Sequence, residues 1–233
     1  MSEHILSAFD RDLEKVQALV VKMGGLVEEQ ILESVRALEE RDGELAQRVR
    51  DQDKAVDALE ETINDEAARL IALRAPAARD LRVTLSVIKI SASLERVGDY
   101  AKNIAKRSQV LLESPQINGT TAAIRRMAQA TESMLRDAID SYIQRDAQLA
   151  ADVRGRDIEV DQMYNALFRE FLTYMLEDPR NITPCMHLHF IAKNIERMGD
   201  HATSIAEQVI YLVTGELPED SRPKSSSVVK TES

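Results

Sequence analysis

A chain of 233 residues is long enough to bury a substantial core. Aromatic residues make up 4%, tryptophan is absent, and there are only eight glycines and six prolines; this composition favours an all-helical protein. The formal net charge of −10 argues against general adhesion to nucleic acid, because no excess of cations offsets phosphate charge. Cys185 is the only cysteine, which excludes an internal disulfide and a cysteine-rich zinc site and fits a reducing cytosol. No apolar run approaches the ~18 residues of a membrane span. The opening MSEHILSAFDRDLEK has acids where a secretory signal needs an apolar stretch. The expectation is a soluble, cytoplasmic chain with no direct membrane insertion.

Taken in order, the apolar spacing predicts six helices. The first runs from about His4 to Glu39, with Phe9, Leu13, Val16, Val20, Met23, Val27 and Leu38 on one face. Gly24 and Gly25 weaken it locally and mark either a kink or a close contact. After a turn at Glu40 to Gly43, the second helix carries Leu45, Val49, Val56, Leu59, Ile63 and Leu70 and stops before Pro76. The third spans about Ala77 to Leu112. A linker, ESPQINGT, follows, with Pro and Gly as punctuation. The cycle restarts with a helix to about Gln144, another from Ala147 to Met175, a break at EDPRNITP, and a last helix to about Val213. The tail has two prolines, a serine run and mixed charges, a composition that predicts disorder.

The second half repeats the first. RDGELAQRVRDQDKAVDA at Arg41 to Ala58 returns as RDAQLAADVRGRDIEVDQ at Arg145 to Gln162, and ERVGDYAKNIAK at Glu95 to Lys106 returns as ERMGDHATSIAE at Glu196 to Glu207. Internal repetition of this kind implies one supersecondary unit used twice. The fold expected is therefore two tandem three-helix bundles: residues 1–113, a linker at 114–120, residues 121–216, and a tail at 217–233. In the third helix of each unit, Ile90, Leu94, Val97, Ala101, Ile104 and Leu111 form a core stripe, matched by Ile191, Ile195, Met198, Ala202, Ile205 and Leu212. A second stripe, Leu81, Leu85, Ile88 and Ala92, lies nearly opposite and turns acidic at Glu95 and Asp99; its counterpart, Ile182, Met186, His189 and Lys193, is mixed.

Both units carry the same acidic pairs: Asp53/Asp57 with Glu95/Asp99, and Asp157/Asp161 with Glu196/Asp200. Residues four apart on a helix are neighbours, and like charges there cost roughly 0.2–0.5 kcal/mol. Asp53 and Asp57 flank the expected core positions Gln52 and Val56, and a hairpin turning at Pro76 brings Asp57 level with Glu95. Pro179 repeats the arrangement. Converging carboxylates must attract cations or take up protons. Oxygen-only ligands suit Mg²⁺, Mn²⁺, Ca²⁺ or iron rather than zinc or copper. Arg50, Arg154, Arg96 and Arg197 could neutralise the acids instead, and the residues alone leave both options open. Gly98 and Gly199 sit mid-helix between the acids, where Gly costs about 1 kcal/mol relative to Ala; they make room for a packed helix or for an ion. The ligand-rich run Pro184 to His189 carries less weight, because alternate residues fan apart on a helix. With no Glu-x-x-His, no phosphate-cradling loop and no nucleophile elbow, no enzyme is expected.

These motifs, their spacing and their duplication resemble the PhoU family of phosphate-transport accessory proteins over about Ile5 to Thr214. Ser204 departs from the family pattern that Asn103 follows. The resemblance implies a negative regulator of the phosphate-starvation response and of phosphate uptake. It also implies a homodimeric adaptor between a sensor histidine kinase and the ATPase subunit of a phosphate ABC transporter. In addition it implies metal ions (Mg, Mn or Fe) held by Asp53, Asp57, Glu95 and Asp99 and by Asp157, Asp161, Glu196 and Asp200. The competing readings are a carboxylate-bridged metal-dependent enzyme and a metal-free helical scaffold.

Overall fold

The structure, a computed structural model, describes residues 2–76, 78–117 and 119–218. The periodic segments form α1 (Ser2–Glu40), α2 (Gly43–Arg74), α3 (Arg79–Leu111), α4 (Thr120–Gln144), α5 (Ala147–Glu177) and α6 (Ile182–Thr214), with a 3-10 turn at Pro179–Asn181. Among the described residues there is no strand. The tail expected to be disordered lies, from residue 219 on, outside the described residues.

The retained Arg-Asp dipeptide is the turn between the first two helices of each repeat. Arg41 and Arg145 adopt the left-handed conformation (φ 55° and 56°) that ends a helix. The amides of Asp42 and Asp146 then donate back to Ala37 and Ser141 carbonyls, each at 3.0 Å. The same aspartates cap the next helix: Asp42 accepts from the Leu45 amide at 2.9 Å, and Asp146 from the Gln148 and Leu149 amides at 2.8 and 3.0 Å. Arg41 also holds the inter-repeat linker, donating to the Leu112 carbonyl and, at 3.2 Å, to that of Ser114.

The core stripes of α3 and α6 are buried along their whole length, from Ile90 to Leu111 and from Ile191 to Leu212, and one continuous core joins both repeats. The repeats meet through two antiparallel pairs. Along α1 and α4, Glu39 pairs with Arg125 at 3.0 Å and Glu28 with Arg136 at 3.5 Å. Along α3 and α6, Arg107 lies 3.4 Å from His187, the rings of Tyr100 and His201 sit 5.7 Å apart, and Arg82 stands over Tyr211. These contacts define a pseudo-twofold axis that crosses α3 and α6 near Gly98 and Gly199. Helices α2 and α5 flank the four-helix centre.

Helix α1 runs unbroken through Gly24 and Gly25. Gly24 marks a close contact: a β-carbon there would run into the end of the Ile139 side chain on α4, whereas one at Gly25 would meet nothing. The stripe of Leu81, Leu85, Ile88 and Ala92 is not a second buried face. Leu85 and Ala92 are exposed and the other two half-buried. Helices α1, α2 and α6 pack on the remaining sides of α3, so this side faces outward. Ile182 and Met186 are likewise exposed on α6.

The glycine pair yields a paired test. Gly25→Ala should raise the unfolding free energy by about 0.5–1 kcal/mol through helix propensity. Gly24→Val should lower it by about 1–3 kcal/mol by overpacking against Ile139. Chemical denaturation of both variants checks the two signs.

Candidate functional site

The acidic motif of the first repeat is built where α2 crosses α3. Gly98 has no side chain, so α2 approaches closely: a β-carbon there would lie 3.3 Å from Val56 Cγ1, 3.2 Å from Gln30 Oε1 and 3.7 Å from Asp53 Oδ1. Asp53 is thereby driven into the core at 2% exposure. Lys102, one turn beyond Asp99, bonds to Asp53 Oδ2 and lies 3.5 Å from Asp99 Oδ1. Asp53 Oδ1 is buried without a hydrogen-bond partner among the described residues. Burial pushes the Asp53 carboxyl above its usual range despite the ammonium, while the bond to Asp53 raises Lys102. The one ion pair thus dominates at the lysine and loses to desolvation at the aspartate, as expected when one partner is core and the other half-exposed.

Glu95 stands one turn before Asp99. Arg96 reaches both acids, at 3.5 and 3.8 Å. Burial first, then the charge of Asp99, pushes Glu95 up to about 7, and Glu60 adds to the rise. Asp57 is exposed on α2. The hairpin therefore sets Glu60, about a turn from Asp57, against Glu95.

The second repeat reproduces the close approach but not the charges. A β-carbon at Gly199 would lie 3.3 Å from Asp157 Oδ1 and 3.5 Å from Val160 Cγ1. Thr203 stands where Lys102 stands in the first repeat; it is fully buried, and its Oγ1 has no partner among the described residues. Lys193, a turn before Glu196, binds that carboxylate at 2.6 Å and lies 5.1 Å from the Tyr164 ring centroid. Burial raises the Glu196 carboxyl, with Lys193 opposing and Asp200 and Asp161 adding to the rise.

The structure thus gathers Asp53 and Asp99 around Lys102, and Glu196 with Asp200 and Asp161. The pair on α2 does not share one environment, Asp53 being core and Asp57 exposed, whereas Asp157 and Asp161 on α5 are both half-buried. Gln52, expected in the core, is half-buried. Of the arginines weighed as counter-charges, Arg96 acts as one. Arg50 instead bonds Gln47 and Gln109, and Arg154 bonds Glu207. Lys102 and Glu60 do not stand out in the sequence, and Lys193 stands out only as the polar end of a mixed stripe, although both lysines lie three residues from a motif acid. His189 packs among Tyr164, Phe168 and Phe190, and Cys185 is buried. Hard oxygen donors suit Mg²⁺, Mn²⁺ or iron. As arranged, however, no three acidic, histidine or cysteine side chains among the described residues close around an ion. In the first repeat the Lys102 ammonium holds the place between Asp53 and Asp99 that a metal would need.

Fold and motif together define a class of tandem three-helix proteins. The PhoU domain model matches residues 20–108 and again 124–209, so the chain belongs to the PhoU family. It is 47% identical over 224 residues to the phosphate-specific transport system accessory protein PhoU homolog of Caulobacter vibrioides, covering 96% of this chain and 97% of that one. A homolog of the same description from Rhizobium meliloti is 47% identical over 221 residues, 95% of this chain and 93% of that one. The crystal structure of PhoU from Pseudomonas aeruginosa superposes with a TM-score of 0.86 at 40% identity, over 89% of this chain and all of that one. The phosphate transport system regulatory protein PhoU from Streptococcus pneumoniae gives 0.82 at 30% identity, over 90% of this chain and 98% of that one.

Glu95 makes the site pH-dependent. A carboxyl whose pKa is raised by folding binds its proton more tightly in the native state. Its contribution to stability is complete below its usual 4.5 and is lost as pH rises through about 7. In chelator-treated protein, Glu95→Gln should melt higher than the parent above that value, and the difference should vanish below the lower one. Melting curves across this window read the sign directly.

Proposed function

We propose that this protein is an accessory regulator of phosphate transport that represses the phosphate-starvation response. The observation that carries the reading is the family match in both repeats, together with relatives described as accessory or regulatory proteins of phosphate transport. Its partners are a sensor histidine kinase and the ATPase subunit of a phosphate ABC transporter, and it works in the cytoplasm as a homodimer. The outward side of α3 and α6, where exposed Leu85, Ile182 and Met186 run into the acidic clusters, is the docking face. Among the described residues no helix is long and apolar enough to cross a membrane, so attachment to a transporter falls to such a surface.

Regulation through binding requires different affinity for two states of the partner. An adaptor that binds the kinase equally in its kinase and phosphatase states shifts neither. The protein therefore favours the phosphatase state while transport is active, and by linkage the transporter's state alters its affinity for the kinase. Asp53, Asp57, Glu95 and Asp99, with Asp157, Asp161, Glu196 and Asp200, are the residues that would hold a hard cation. A bound Mg²⁺, Mn²⁺ or iron would supply positive charge that draws the carboxylates together and offers a partner a fixed point of contact.

Deleting the gene in its host should switch on a phosphate-starvation reporter while phosphate is plentiful, and the intact gene should silence it again. A reporter that stays silent after deletion overturns the regulatory reading. Equal affinity for kinase locked in either state overturns the coupling mechanism.

A further inference from the structure

Nearly half of the large apolar side chains left exposed among the described residues gather at one end of the molecule. Ile182, Met186 and Phe190 recur every four residues along α6, and Val110, Leu172 and Leu176 stand beside them; each is 40% or more exposed. The packing explains the grouping. Arg107 contacts both His187 and Phe190, so Val110, a turn further along the antiparallel α3, reaches the level of Met186. Tyr164 and Phe168 lie against His189, so Leu172 and Leu176 continue along α5 toward Ile182. A contiguous exposed apolar patch rimmed by polar groups marks an interaction surface. Within the docking-face reading above, on which the inference rests, we propose that this patch is the seat and that its occupant is an acidic amphipathic helix of a partner protein.

Shape and charge both select that occupant. From Ile182 to Phe190 the strip runs about 12 Å, two turns of a helix laid along it. Its spacing takes apolar anchors from one face of such a helix. Cations stand on both edges. On the α3 edge Lys106 is exposed, and Arg107 rests 4.3 Å from the centroid of the Phe190 ring rather than on a carboxylate. On the α5 edge Arg169 is exposed a turn before Leu172. Lys106 and Arg169 form no ion pair among the described residues. Helix α3 carries seven Lys and Arg against three acids, in a chain whose net charge is −10. An apolar stripe bordered by Glu or Asp complements this arrangement, whereas the overall charge opposes an anionic bilayer. The first repeat offers no equal seat. Met186, Phe190, Leu172 and Leu176 correspond there to Leu85, Lys89, Ala68 and Ala72, which keep one large apolar side chain of the four.

The test measures the affinity of the full-length chain for the detergent-solubilised kinase and for the transporter ATPase. Met186→Asp should weaken binding of one of them by at least about tenfold. Lys106→Glu with Arg169→Glu should weaken the same partner by about three- to tenfold, an effect that fades as salt rises. Leu32→Asp on α1 and Leu73→Asp at the far end of α2 should leave affinity unchanged. Hydrogen exchange on the bound partner should protect a helix with acids on both sides of an apolar stripe. Should Met186→Asp fail to fold, the charge reversals still decide the matter. Unchanged affinity in Met186→Asp and in the charge reversals overturns the proposal while leaving the adaptor reading intact, as does protection of a segment without that acidic pattern. A parent dimer that Met186→Asp splits in sedimentation overturns it in favour of a second copy of this chain. Binding of the parent to phosphatidylglycerol vesicles that Met186→Asp abolishes overturns it in favour of lipid. No binding of the parent to either protein overturns the docking-face reading itself, and the proposal with it.

Discussion

The close crossing of α2 over α3 at Gly98, and of α5 over α6 at Gly199, is the constraint on which the rest depends. Helices packed through ordinary side chains keep their axes 8–10 Å apart. Here a missing β-carbon puts Val56 and Asp53 against the α3 backbone, and Val160 and Asp157 against that of α6. The gain in packing is coupled to a loss: Asp53 is carried into the interior at the first crossing, and Asp157 is half-buried at the second. A buried charge is tolerated only with a partner. Lys102, bonded to the buried Asp53, meets that requirement in the first repeat.

Much of this architecture was legible in the sequence. Six periodic segments, the duplicated Arg-Asp turn and the core stripes of α3 and α6 each depend on local spacing, and local spacing survives in a one-dimensional string. Two straight helices joined at Pro76 have a predictable register, and Glu60 stands against Glu95 about a turn from the Asp57 level that the spacing predicts. The outward stripe was harder. Leu81, Leu85, Ile88 and Ala92 have core-like periodicity, but burial depends on whether another helix is there to cover them, and none of the three neighbours of α3 lies on that side.

The acidic sites were legible only in what the repeats share. Comparing two copies selects identities and discards differences. Lys102 against Thr203 and Glu60 against Tyr164 are thereby hidden, and Lys193 against Ala92 shows only as a mixed stripe, although each sits in or beside a cluster. Their signal was present as three-residue helical spacing to Asp99 and Glu196 for the lysines. For Glu60 there was no such cue, since its partner Glu95 lies across the α2–α3 hairpin. Burial was the other blind spot: a string of DxxxD gives no hint that Asp53 is core and Asp57 solvent-facing while Asp157 and Asp161 are both half-buried.

The pseudo-twofold axis between Tyr100 and His201 has a geometric corollary for anything that grips this molecule. Rotated by half a turn, α3 falls on α6 with glycine on glycine and the motif acids on one another. A partner that read only the shared features could seat in two opposite orientations with similar energy, and a signal that depends on direction would be lost. Mismatched positions, such as Tyr100 with His201 on the axis and Leu85 with Met186, Ile88 with His189 and Ala92 with Lys193 along the outward side, tell one end of the face from the other. The repeated helices lay down a surface whose shared residues give it neither front nor back, and the positions where the two copies differ are what give it a heading.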